Sequence, residues 1–147
     1  MPRIDVVFYK EGEKTPLLEW LDKLPKKPKV KCIERIGRLE KLGHEIRRPE
    51  ADFLRDKIYE LRVRWQRVNY RMLYFFYKNQ VVVISHGITK EDKVPPKEID
   101  LAINRMKKFV NNPKKHSYTP GEQQYEYKEK LSDLLKFNYS FGIFPKM

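Results

Sequence analysis

At 147 residues and 40% apolar content, the chain has room for one domain with a real core and not for a second. Its 32 Lys and Arg against 20 Asp and Glu leave a net charge of +12, which points to a polyanionic partner, either nucleic acid or an acidic protein, beside the plainer reading of solvated lysines. Cys32 alone excludes an internal disulfide, no apolar run is of bilayer length, and MPRIDVVFYK lacks the make-up of a signal peptide, so the cytoplasm is the expected compartment and no membrane is expected as a partner.

IDVVFY (4–9) reads as a first strand. EGEKTP then supplies a turn and a helix start, with Thr15 as cap, Pro16 at the first helical position and Leu17, Leu18 and Leu21 as an apolar stripe. This helix is expected to stop before Pro25. A second begins near Pro28, buries Val30, Ile33, Ile36 and Leu39, and ends at Gly43, with His44 beside the cap and Cys32 half-buried as a filler. From Ile46 to Arg55 the chain reads as a polar loop. Strands follow at 57–65, 69–78 and 80–86, the first alternating Tyr59, Leu61 and Val63 with Glu60, Arg62 and Arg64. VVVIS is apolar throughout, as in a strand buried on both faces. After HGITKEDKVP, a last helix opens at Pro96 and Glu98, and Ile99, Ile103, Met106 and Val110 are its expected buried stripe.

The order β-α-α-β-β-β-α predicts an α+β fold: a small, twisted, antiparallel-rich sheet with the helices packed on one face and the first strand at an edge or beside the last. Residues 1–112 form this domain. Residues 113–147 form a C-terminal extension, first a linker holding His116, then YEYKEKLSDLLKF, a short helix with Leu131, Leu134 and Leu135 on one side.

Between Arg55 and Lys78 lie seven basic and two acidic residues. Strand parity puts Arg62 and Arg64 on the face away from Leu61 and Val63, and a short turn brings Arg71 near them. A guanidinium pair on a rigid sheet can grip a phosphate in a bidentate manner. The alternative is that these arginines pair with Glu60, Asp56 or Glu50 and only keep the sheet face wet. Arg64, Arg67 and Lys78 are candidate RNA contacts beside the pair. His86 ends a buried strand next to the loop of Lys90 and Lys93, where an imidazole can move a proton or simply hold its loop. Neither a metal-ligand spacing, nor a thiol site, nor a glycine-rich phosphate loop is present, so no metal and no cofactor is expected.

The succession VVFY, PLLEWLDKLP, RLEKLGHEIRRPEADFLRDKIYELRV, NYRMLYFFY, VVVISHGITK and KVPPKEIDLAINRMKKF resembles the RelE/ParE superfamily of toxins, and within it the phage-derived, HigB-like branch. The resemblance covers roughly residues 4 to 111. It implies the toxin of a type II toxin–antitoxin pair, a metal-independent endoribonuclease that cuts mRNA on the ribosome and is blocked by a cognate antitoxin, often of helix-turn-helix type. On the same resemblance Arg62 of YELR and Arg71 of YRMLYFF take the basic active-site positions, with Lys90 and Lys93 in the loop after the last strand. Ile88 and Glu91 depart from the branch, which carries a phenylalanine and a second lysine there. RNA brings its own nucleophile, the 2′-OH, so a sparse cationic site, with His86 or a lysine as base, suffices. The other classes are a ParE-like toxin that acts on a topoisomerase by protein contact, and an inactive nucleic-acid-binding module.

Overall fold

The computed structural model describes residues 4–89 and 92–120. Its order is β1 (Asp5–Tyr9), α1 (Pro16–Asp22), α2 (Lys26–Leu42), a 3-10 turn (Gly43–Glu45), β2 (Ala51–Arg55), β3 (Ile58–Trp65), β4 (Val68–Tyr77), β5 (Val81–Thr89), α3 (Pro96–Asn111) and β6 (Ser117–Tyr118). The strands form one six-stranded sheet in the order β2-β3-β4-β5-β1-β6. This is the expected α+β class, with a meander from β2 to β5 and the first strand beside the last of them. β1 runs parallel to β5, from Asp5 opposite Val81 to Phe8 opposite Ile84, and the other pairings are antiparallel.

One expectation needs correction: the helices do not share one face. Leu17 and Leu21 of α1 and Ile33, Ile36 and Leu39 of α2 pack with Leu61, Val63, Met72, Tyr74, Val82 and Ile84. Ile99, Ala102 and Phe109 of α3 pack with Val7, Leu73, Phe75 and Val83 on the other side, and Phe109 rather than the expected Val110, which is exposed, closes the stripe. Neighbouring residues of β4 and β5 therefore enter opposite cores, which is why VVVIS and MLYFF are apolar without alternation.

Two strands lay outside the sequence reading. Ala51–Arg55, expected as loop, forms the edge strand β2, and Ser117–Tyr118 pairs with β1 at the opposite edge. His116 there is buried, stacks on Tyr9 at 5.1 Å and takes up the Lys10 carbonyl through Nδ1 at 2.9 Å. α2 begins at Lys26, two residues before Pro28, because the amide that proline lacks is among those a first turn leaves unbonded anyway. Cys32 is wholly buried, not half-buried, and burial pushes its thiol up to about 12. His44 does not cap the helix but stacks on Phe76 at 3.8 Å. The extension helix expected around Leu131, Leu134 and Leu135 lies outside the described residues, as does Lys90.

The hairpin turns are made without glycine. Asp56 and Lys57 join β2 to β3, and Gln66 and Arg67 join β3 to β4, with all four at positive φ. Two left-handed residues match the twist of the flanking strands. β5 runs on to Thr89, past the loop start expected at His86, because Gly87 leaves room for Trp20 of α1. A Cβ at Gly87 would stand 2.1 Å from the Trp20 ring, whose Nε1 donates to Thr89 Oγ1 at 2.9 Å. Gly87→Ala is expected to lower stability by about 3 kcal/mol and to shift the tryptophan emission, since the indole must leave its seat. A denaturation midpoint equal to that of the parent would show that the contact is not this tight.

Candidate functional site

Cross-strand register sets Arg62 directly opposite Arg71, and Arg64 opposite Asn69. The same register places Ile88 beside Arg71 and His86 beside Leu73, so Arg62, Arg71 and His86 lie on the α3 face of the sheet. Like charges facing each other across a ladder repel. Glu60, two residues before Arg62 on the same face, is the counterweight. Its Oε1 lies 2.7 Å from Arg71 Nη1 and its Oε2 lies 3.6 Å from Arg62 Nε. Glu60 and Arg71 are both buried, whereas the Arg62 side chain stays 37% exposed. Arg71 also donates to the Asp92 carbonyl at 2.7 Å, and so ties down the loop of Lys93. Arg71 is thus a buried, bonded residue, paired with Glu60 as the second of the two readings from sequence had it.

β2 begins at Ala51, opposite Leu61, so β3 from Arg62 onward has no strand on its outer side. The segment before β2 turns in there. The Arg62 amide donates to the Glu50 carbonyl at 2.8 Å, and Arg35 of α2 donates to the Arg62 carbonyl. Between them opens a cleft of about 410 Å³, walled by Arg35, Glu50, Arg62, Arg64, Tyr70 and Arg71 among others. Arg64 is exposed and has no carboxylate partner among the described residues. Glu50 is held by a two-pronged bond from Arg38, at 2.8 and 2.9 Å, which keeps its carboxyl below the ordinary carboxylate range. Glu60 and Glu50 were expected only as pairing partners for the arginines, which holds for Glu60 with Arg71 and Arg62, whereas Glu50 pairs with Arg38 and Arg35, and Arg35 was not singled out from the sequence.

The remaining candidates divide. Arg67 stands in the β3–β4 turn, near Arg64, and Lys93 is exposed beside Asp92. Lys78 sits in the β4–β5 turn over the Tyr77 ring, seven residues along β4 from Arg71. At strand rise that is roughly 20 Å away, so the structure does not bring Lys78 to the cleft. Among the described residues, no group of three or more His, Cys, Asp or Glu is placed to hold a metal ion.

His86 is buried and engaged at both ring nitrogens, by Ser85 Oγ at 2.7 Å and Glu98 Oε1 at 2.9 Å. The connectivity is that of a Ser-His-Glu relay, but Ser85 is fully buried and has no room for a substrate. The chain of bonds fastens the start of α3 to β5. Burial holds the imidazole below its ordinary value, and the bond to Glu98 opposes this only in part. The unfolded chain takes up this proton near the usual value of about 6.5, the folded chain only lower. Stability from this group is therefore complete above about pH 6.5 and is lost as the pH falls from there toward the folded value. His86→Gln should flatten that part of a pH series of denaturation midpoints. An unchanged slope would assign the acid sensitivity to other groups.

The α+β sheet gathers guanidinium groups at an open strand end, with a buried carboxylate holding two of them in place. The chain belongs to the phage-derived protein Gp49-like family (DUF891), whose model matches residues 19–107, and it is accordingly a toxin-like protein of phage derivation. A separate likeness is to an LL-diaminopimelate aminotransferase of Halothermothrix orenii, 40% identical over 68 residues. It takes in 46% of this chain, and the chain spans only 17% of that protein. No helix among the described residues is long and apolar enough to cross a membrane.

Proposed function

We propose that the chain is the toxin of a type II toxin–antitoxin pair and cuts mRNA on the ribosome, using the RNA 2′-OH as nucleophile. The observation that supports this most is the cleft at the open end of β3, where Arg62 stands half-buried and Arg64 exposed, with Arg35 across from them. Arg62 and Arg64 take the scissile phosphate and offset the charge that builds up as the 2′-oxygen bonds to phosphorus and the 5′-oxygen leaves. Arg71 holds Glu60 and the Lys93 loop and so frames the grip from behind. Glu50 is the carboxylate that lines the cleft, and it is ionised at neutral pH, so it accepts the 2′-OH proton, while the departing 5′-oxygen takes a proton from water. His86 fixes the seat of α3 and with it the entry to the Lys93 loop. The ribosome supplies the alignment of the message, and an antitoxin covers the cationic surface until it is removed.

The test is cleavage of a ribosome-bound message by the purified chain, with ends mapped, and with one 2′-deoxy sugar placed at the cut site. Cutting should leave a cyclic phosphate and a 5′-OH, and the single deoxy sugar should abolish it. Cutting that survives the deoxy sugar would overturn the mechanism. Growth arrest without any cutting would favour the topoisomerase-directed class instead.

A further inference from the structure

A second concavity, of about 470 Å³, lies on the α1/α2 face where α2 has ended, next to the outer edge of β2. Its walls are aromatic. Phe53 meets Tyr59 edge-on at 5.2 Å, Tyr59 meets Phe76 at 5.3 Å, and His44 closes the row by stacking on Phe76. Arg47 and Arg48 form its rim. Phe53, at the end of this row, is 53% exposed. Arg47 donates to the His44 and Ile46 carbonyls and has no carboxylate partner among the described residues. β2 is the last strand on this side of the sheet, so its outer edge runs alongside the aromatic row without a further strand on it, the Phe53 amide donating to Asp52 Oδ1 at 3.0 Å.

We infer that this groove docks a partner peptide that is acidic and carries one aromatic or aliphatic anchor, and that its docking disarms the phosphate cleft through Asp52. A strand edge, an aromatic pocket and a cationic rim, side by side, match what an extended peptide offers: backbone groups, an anchor and carboxylates. RNA has no backbone repeat to pair with a strand edge, so the peptide is the better fit. The coupling follows from one oxygen. Asp52 Oδ2 lies 2.8 Å from Arg48 Nη2 and 4.0 Å from Arg62 Nη1, so groove and cleft share a carboxylate. A partner carboxylate that takes Arg48 leaves Asp52 with Arg62 alone. As that pair closes, Arg62 turns from phosphate to Asp52. In the toxin reading, on which this part rests, such a peptide belongs to the antitoxin, and it acts without entering the cleft.

The probe is a labelled synthetic peptide of alternating glutamates with a single tryptophan, followed by anisotropy with the full chain. A labelled 2′-deoxy oligonucleotide reports on the cleft. The peptide should bind, Phe53→Ser and Arg48→Glu should each weaken it by about tenfold or more, and Arg64→Ala should leave it unchanged. Saturating peptide should weaken the oligonucleotide several-fold, and Asp52→Asn should remove that coupling. Absence of peptide binding, or binding indifferent to Phe53 and Arg48, overturns the groove. Loss of oligonucleotide binding in Phe53→Ser overturns it in another way, by making the groove a nucleic-acid subsite. Oligonucleotide binding indifferent to the peptide overturns the coupling. RNA cutting by Phe53→Ser should match the parent, so failure of the groove and failure of the nuclease reading register in separate assays.

Discussion

Arg71→Ala should destabilise the domain severely, whatever it does to the cleft. The substitution leaves Glu60, only 3% exposed, with Arg62 at 3.6 Å as its remaining ion-pair partner, and it frees the Asp92 carbonyl from its guanidinium. Breaking a buried ion pair from one side costs about 3–5 kcal/mol, because the surviving charge stays buried without its partner. A domain of this size is stable by only about 5–15 kcal/mol, so the loss takes up a large part of the margin. The double replacement Arg71→Met with Glu60→Leu removes both charges at once and should recover most of the stability while leaving RNA cutting impaired. Urea denaturation of the three chains decides. If Arg71→Ala costs less than about 1 kcal/mol, the pair is not the buried keystone that its geometry indicates.

Arg62→Ala should do the reverse, with the fold kept and the chemistry lost. The Arg62 side chain is 37% exposed, and its two carboxylate neighbours stand at 3.6 and 4.0 Å, beyond a full hydrogen bond, so its removal should cost no more than about 1 kcal/mol. Removing a preorganised charge from a developing oxyanion typically lowers a rate by about 10²–10³. Single-turnover cutting beside the denaturation midpoint separates the two effects. Arg62→Lys should recover only a part, since an ammonium cannot span two phosphate oxygens in a plane. A rate within a few-fold of the parent would take Arg62 out of the chemistry.

How far these residues could be read in advance depends on what kind of order places them. Alternation in YELRVRW is local, and it correctly put Arg62 and Arg64 on the face away from Leu61 and Val63. Both helices of the hairpin and the β2–β5 meander apart from β2 were legible for the same reason, through caps, prolines and period. β2 was not, because ADFLR is a short edge strand whose outer side meets no neighbour, so its burial pattern carries little alternation. The second layer of helix was written in the unbroken apolar run of VVVIS, which a sheet with one wet face does not need. The pairing of Glu60 with Arg71 could not be read from spacing. It arises from hairpin register, and the protection of both groups arises from the layers packed around them. Glu50 and Arg35 come to the cleft from a loop and a helix, brought there by packing alone.

The seat of β1 has a consequence for how the molecule is made. Asp5 finds its neighbour in Val81, so the first strand cannot take its place until some eighty residues have followed it out of the ribosome. The hairpins from β2 to β5 can zip as they emerge, each closing a short loop, whereas the parallel pairing closes one that spans half the chain. An unfinished copy therefore leaves β1 without its neighbour and half of two cores open, and with them no settled α3 to hold the Lys93 loop. Synthesis of this protein passes through a long interval in which its arginines exist but the assembled cleft does not.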